Sequence, residues 1–527
     1  MSELNWECPY PSGRSPVFAQ NIVATSQPLA AEAGINALRL GGNAVDAALA
    51  TAITLTVVEP CNNGLGSDAF AFIHDGKTLH GLNASGRSPA GINAEHFKSY
   101  ESMPISGWDA VTVPGAVSAW VSMSKKFGRL AFSDLFSDAI RYAHNGYQVG
   151  PKTALIWQHS VEQFADFAPF QQTFAPRGKA PKTGELIKLK DHAKTLEAIA
   201  DSSGESFYRG DIAEAIAEDS KKNGGKMTID DLANHQPEWI NPISMPAFEA
   251  ELKEIPPNGQ GLMALISLGI LKNCPDSEDV DSADSIHMQI EAQRIAYAEI
   301  AAHLADPDHM RVSIDKLLDS SYLRSRANEI KHDRASPNPV ALGTSEDTVY
   351  LTACDSDGLM VSMIQSNYRG FGSGVVIPGT GISMQNRGSG FVLTEGHPNQ
   401  IGPSKKPYHT IIPGFVTRAD APFMSFGVMG GHMQAQGHLQ MMLRVARYGQ
   451  NPQAALDAPR WYVFENGKVA LEDGIPFDVI ENLKSRGHTI VMRSPEYLFG
   501  GGQAIVKTKD GYCGGSDYRK EGLALGL

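Results

Sequence analysis

Apolar and polar positions change their spacing several times along the chain. Residues 21–26, "NIVATS", form a short β-branched run that predicts a strand. From Leu29 to Leu55 the spacing becomes helical in "LAAEAGINALRLGGNAVDAALATAITL", interrupted by Gly41-Gly42. The double glycine closes one helix and opens another, with Asn43 or Asp46 at the new start. Residues 130–330 are dominated by helical periodicity, as in "HMQIEAQRIAYAEIAAHLADPD", which stops at an Asp-Pro step. From Thr348 onward β-branched and aromatic runs alternate with glycines: "TVYLTACD", "LMVSMIQS" and "FMSFGVMGG". The step Asp355-Ser356-Asp357-Gly358 predicts a hairpin turn, so a strand starts at Thr348 and its partner returns near Ser366. Residues 331–347, "KHDRASPNPVALGTSED", separate the two regimes and read as an exposed, mobile connection.

Composition narrows the function. A chain of 527 residues, 42% hydrophobic, can bury a large core. Its net charge of -13 argues against nucleic acid as a partner, because phosphate neutralisation needs a basic face. The start, "MSELNWECPYPSGRSP", has no apolar core of signal-peptide length, and "AALATAITLTVVEP" is too short and Thr-rich to span a bilayer. A cytoplasmic protein without a membrane partner is expected. Cys8, Cys61, Cys274, Cys354 and Cys513 are scattered and odd in number, which fits reduced thiols. No cofactor or metal is called for: "NGQG" (258–261) lacks the end of a phosphate loop, no CxxC occurs, and His432 and His438 lack the Glu of a metalloprotease helix.

The nucleophile is not one of the familiar motifs. The serine of "GFGSGV" is out of register with a G-x-S-x-G elbow. If the peptide bond before Thr348 were cut, the freed α-amino group, with an unperturbed pKa of about 7.7 to 8.0, would be a general base beside the Thr348 hydroxyl.

Blocks along nearly the whole chain carry a resemblance. They are "LRLGGNAVDAALATAITLTVVEPCNNGLGSDAFAF", "VPGAV", "PPNGQG", "EAQRIAYAE" with "LADPD", "DTVYLTACDSDGLMVSMIQSNYRGFGSG", "KKPYHTIIP", "GVMGG" and "GGSDYRKEG". In this order they resemble the γ-glutamyltransferase family of N-terminal-nucleophile hydrolases, closest to its signal-less, glutathione hydrolase-like branch. The resemblance implies an α+β fold, a four-layer αββα sandwich, and a precursor that cleaves itself between Asp347 and Thr348. Fragments 1–347 and 348–527 would stay together as a heterodimer, able to pair further. Thr348 would be the nucleophile, Ser366 would orient its hydroxyl, and the N–H groups of Gly430 and Gly431 would hold the oxyanion.

The substrate-reading residues depart from the family's pattern. At the place of the arginine that grips a substrate carboxylate stands Ser85, with Arg87 displaced by two positions in "ASGRSPAG". The family's Thr-x-Asn becomes Ser366-Asn367-Tyr368, its Ser-Ser pair becomes His409-Thr410, and its Asn-Asn-x-Met-Asp-Asp becomes "QNRGSG" (Gln385 to Gly390), which carries Arg387 and lacks the acid that receives the substrate amine. The leading expectation is a threonine amidase cleaving γ-glutamyl amides such as glutathione. A second is hydrolysis of another small anionic amide, of the oxamate or cephalosporin-acylase kind, held by Arg87, Arg387 and His409. A third, of another class, is an unprocessed binding protein, because Thr348-Val349-Tyr350 stands where relatives often have Thr-Thr-His.

Overall fold

The computed structural model describes residues 5–6, 9–11, 13–336, 348–491 and 496–527. Two seven-stranded sheets organise it. Their strands are β1 (Val17–Ala19), β2 (Ile22–Thr25), β3 (Asp68–His74), β4 (Leu79–Asn83), β5 (Glu238–Ile240), β6 (Ile243–Ala247), β7 (Ala250–Glu254), β8 (Val349–Cys354), β9 (Met360–Ser366), β10 (Gly414–Arg418), β11 (Ala421–Met429), β12 (Gly501–Lys507), β13 (Tyr512–Ser516) and β14 (Leu523–Gly526). One sheet runs β14-β2-β8-β9-β3-β4-β5, the other β1-β13-β12-β11-β10-β7-β6.

Residue alternation explains why the sheets stack. Along β8, Val349, Leu351 and Ala353 pack outward, against a helical layer that includes α1 (Pro28–Arg39) and α2 (Ala44–Val58). Tyr350 and Cys354 point the other way and join Phe70, Phe72, Phe415 and Ile505 between the two sheets. The outer face of the second sheet, with Leu252, Val416 and Met424, is covered by helices including α3 (Gly261–Leu271), α4 (Ala283–His303) and α5 (Met433–Met442). The result is the expected αββα sandwich of an α+β protein. The sheets approach closely where Tyr350 meets Gly427: a Cβ there would lie 2.4 Å from the ring.

Local expectations fare well, with two differences. Asn43 caps α2, its side chain accepting from Val45 and Asp46 N–H while Asp46 accepts from the Asn43 N–H. The hairpin closes through Gly358 N–H to Asp355 O at 3.0 Å. Within the helix-dominated stretch, however, residues 238–254 form β5, β6 and β7, which edge both sheets. Runs of three to five residues are too short to display a period against long helical neighbours. The connection before Thr348 is partly tied down: Ala335 N–H donates to Arg486 O at 2.7 Å and Ser336 N–H to Glu291 at 2.9 Å. Asp347 and the rest of that segment, 337–347, lie outside the described residues. Among the described residues, no helix is long and apolar enough to cross a membrane.

Candidate active site

Strand register builds the centre of the site. Val349 pairs with Gln365, so Thr348, one position earlier, stands beside Ser366 and its Oγ1 donates to Ser366 Oγ at 3.1 Å. Across β9, Ser366 is in register with Asp68, the first residue of β3. All three are on the faces turned toward the second sheet, so Thr348, Ser366 and Asp68 form one polar row across three strands. At about 4.8 Å per strand, the backbone of Asp68 stands roughly 10 Å from that of Thr348.

The second sheet supplies the opposite wall. Gly430 and Gly431 follow β11 and precede α5, with φ of +112° and +55°. Only glycine takes such angles freely, and a Cβ on Gly430 would lie 3.0 Å from Gly500 Cα. The turn is closed by Met433 N–H donating to Gly430 O at 2.9 Å and Gln434 N–H to Gly431 O at 3.2 Å. Gln434, in the first turn of α5, places Nε2 at 3.5 Å from Thr348 Oγ1 and accepts the Ile412 N–H at 2.9 Å. Gln260 donates to Gly431 O at 2.8 Å and to Thr410 O at 2.5 Å, tying both segments together.

Arg387 is the group with capacity to spare. Its side chain is fully buried, and Nη1 donates to Thr410 Oγ1 at 2.6 Å. The guanidinium lies over the Tyr368 ring, 4.5 Å from its centre. Nε and Nη2 have no hydrogen-bond partner among the described residues. Burial lowers its pKa to about 10, against the pull of Asp68 and Tyr368, so it stays charged at neutral pH. Tyr368 itself sits at φ +80°, a costly angle for an aromatic residue, and its N–H donates to Ser366 Oγ at 2.8 Å.

His409 and Asp68 form a buried pair. His409 Nδ1 accepts the Ile411 N–H at 3.4 Å, which places the ring proton on Nε2, 3.0 Å from Asp68 Oδ2. Asp68 Oδ1 accepts N–H groups of Gly115 at 3.2 Å and Gly86 at 3.4 Å. Burial pushes the Asp68 carboxyl up to about 7, opposed by Arg387 and these two N–H groups. Burial, with Arg387 and Lys406 nearby, pushes the His409 imidazole well below its usual value.

The structure thus gathers Thr348, Ser366, Tyr368, Arg387, His409, Thr410, Gly430 and Gly431, and adds Asp68, Gln434 and Gln260. Arg87 differs. It pairs with buried Asp306 at 2.8 Å, donates to Ser404 O at 3.1 Å, and lines a cavity of about 390 Å³ with Ser85, His235 and Lys406. Its charge is matched by the protein itself. Ser85 turns inward, donating to Asn83 Oδ1 at 2.7 Å. His432 and His438 do not converge on a metal: His438 Nδ1 pairs with Glu254 at 2.6 Å, while His432 Nδ1 is 3.1 Å from Tyr408 Oη. Among the described residues one group, His287, Glu291 and His488, brings three potential ligand atoms within 4.8 Å of one another. There Arg294 already pairs with Glu291 at 2.7 Å and sets a fixed positive charge against any dication.

Similarity to known proteins fits this geometry. The family model described as gamma-glutamyltranspeptidase matches residues 30–527. The chain belongs to the γ-glutamyltranspeptidase family. It is 35% identical over 525 residues to the glutathione hydrolase-like YwrD proenzyme of Bacillus subtilis, covering 98% of this chain and 100% of that one. It is 33% identical to the oxamate amidohydrolase proenzyme of Klebsiella pneumoniae, over 97% of this chain and 99% of the relative. The crystal structure of a cephalosporin acylase from Bacillus halodurans superposes with a TM-score of 0.94 at 46% identity, covering 99% of this chain and 98% of the other. As a γ-glutamyltranspeptidase-family member the protein is an N-terminal-nucleophile amidohydrolase or acylase made as a self-processing precursor.

Proposed function

We propose that the chain cuts itself between Asp347 and Thr348, and that Thr348 then takes the acyl group from an amide whose acyl end carries an anion held by Arg387. The two unpartnered donors of the buried Arg387 carry this reading, since a buried guanidinium with open positions suits a carboxylate. Thr348 Oγ1 attacks the amide carbon, its freed α-amino group takes the hydroxyl proton, and Ser366 holds the oxygen in line. The N–H groups of the Gly430-Gly431 turn stabilise the oxyanion. The amine leaves with the proton, and water then releases the acid from Thr348.

A γ-glutamyl amide such as glutathione supplies the anion but also an ammonium. The acid that would receive it is missing, Ser389 and Gly390 standing where the family's motif has its acids, and Asp68 is already bonded by His409, Gly86 and Gly115. Acyl groups without that amine, of the glutaryl or oxamate kind, therefore suit the pocket better. The names of two relatives, an oxamate amidohydrolase and a cephalosporin acylase, support this.

The test has two parts. A denaturing gel of the purified protein should give two bands, the smaller beginning at Thr348, and Thr348→Ala should give one. The processed enzyme should then turn over glutaryl-p-nitroanilide or oxamate with higher kcat/KM than γ-glutamyl-p-nitroanilide or glutathione. Intact protein without amidase activity would instead favour a binding protein, and a clear preference for the γ-glutamyl compounds would overturn the anion-only reading.

A further inference from the structure

Asp68 lies in the row that begins with Thr348, yet no step above uses it. Around it the charges are nearly balanced without a substrate. Arg387 is the buried cation, Asp68 the buried carboxylate, and His409, with its single ring proton on Nε2, is neutral. Both acid and imidazole are fully enclosed. A substrate carboxylate docking on Nε and Nη2 of Arg387 would set two buried carboxylates against one guanidinium. Two like charges in one enclosed site cannot both stay ionised without raising the affinity of one for a proton.

We propose that Asp68 and His409 act together as a proton-accepting specificity element, so that an anionic acyl group enters the pocket together with one proton taken from solvent onto this pair. The inference rests on the anion-binding role of Arg387 proposed above. The proton from solvent forms one new N–H bond at His409 Nδ1, displacing the long Ile411 contact, while the proton already between Nε2 and Oδ2 is shared; which of those two atoms carries it is a property of the pair. The neighbours define the setting. Lys406 is paired with Glu238 at 2.8 Å, and the Tyr408 and Tyr208 phenols are pushed upward by burial, so they stay protonated. The Tyr368 ring stacks on Arg387. Burial already brings Asp68 in the free protein to about 7. Below that pH the pair already holds the proton, and above it the anion must bring one in. Affinity is therefore level below about pH 7 and falls as pH rises.

Glutarate, the acid that would be released from a glutaryl amide, is the probe. Its binding to the processed enzyme would be followed by calorimetry between pH 6 and 9, in buffers of differing ionisation enthalpy. Near pH 8 close to one proton should be taken up per anion, and affinity should fall about tenfold per pH unit above pH 7. Asp68→Asn should lose the tenfold-per-unit fall and keep only the shallower pH dependence of the Thr348 amine, and His409→Asn should lose most of the uptake; both would first be checked for native melting. The new Thr348 amine also titrates here, but its effect survives in Asp68→Asn, so the contrast isolates the pair. Binding without proton uptake, or an unchanged pH dependence in Asp68→Asn, would overturn the inference and leave the Arg387 reading intact. Failure of glutarate and oxalate to bind at any pH, or binding indifferent to Arg387→Met, would overturn both.

Discussion

At the scale of single residues, two arginines that look alike in sequence part company in the structure. Arg387 is sealed in with two open donors, whereas Arg87 is partly exposed and already matched to Asp306. Losing a buried charge-assisted contact to a substrate carboxylate costs about 2–5 kcal/mol, so Arg387→Met should raise KM for a glutaryl amide by a factor of about 30 or more. A matched, partly exposed pair is worth about 0–1 kcal/mol, so Arg87→Ala should change KM by less than about fivefold. Steady-state kinetics on both variants decides it, and the reverse order would return Arg87 to the carboxylate. The adjacency of Thr348 and Ser366 was legible because one hairpin motif carries both residues. Asp68 was not, although "GSDAFAF" sets an acid at the head of an apolar strand. Its meaning lies in the register of β9 against β3, which no local spacing reveals.

At the scale of elements, two loops come together so that backbone can serve a carboxylate. Gly86 and Gly115 press so closely on Val113 and Ala84 that added Cβ atoms would lie 1.7 Å and 1.4 Å from their carbonyl oxygens. That approach lets both N–H groups reach Asp68. Gly115→Ala should therefore cost about 1–3 kcal/mol of stability through overpacking and move Asp68 with it. A thermal melt alongside the pH dependence of glutarate binding would reveal both effects, and a variant unchanged in both would show the contact to be slack. Capped helices and the Asp355–Gly358 hairpin were readable from sequence, because their signals are local. Strands β5 to β7 were not, because edge strands this short take their conformation from the sheets they complete.

At the scale of the whole molecule, the proposed cut falls inside woven sheets. In the first sheet β14, β8 and β9 come from the part after Thr348, while β2, β3, β4 and β5 come from the part before it, and β2 is held between β14 and β8. The second sheet likewise sets β1, β6 and β7 around four strands of the later part. Neither part keeps a complete sheet alone, so the cut enzyme should melt in one transition. The order of the reaction changes, however. An uncut Thr348→Ala chain refolds by itself, and its Tm should not depend on concentration. The processed enzyme must find its other half again, so its Tm should rise with protein concentration if unfolding is reversible. Where it is not, the midpoint should follow the scan rate. Maturation would then turn a self-sufficient chain into an assembly that can be lost by dilution, with its native state reached most easily before the nucleophile is born.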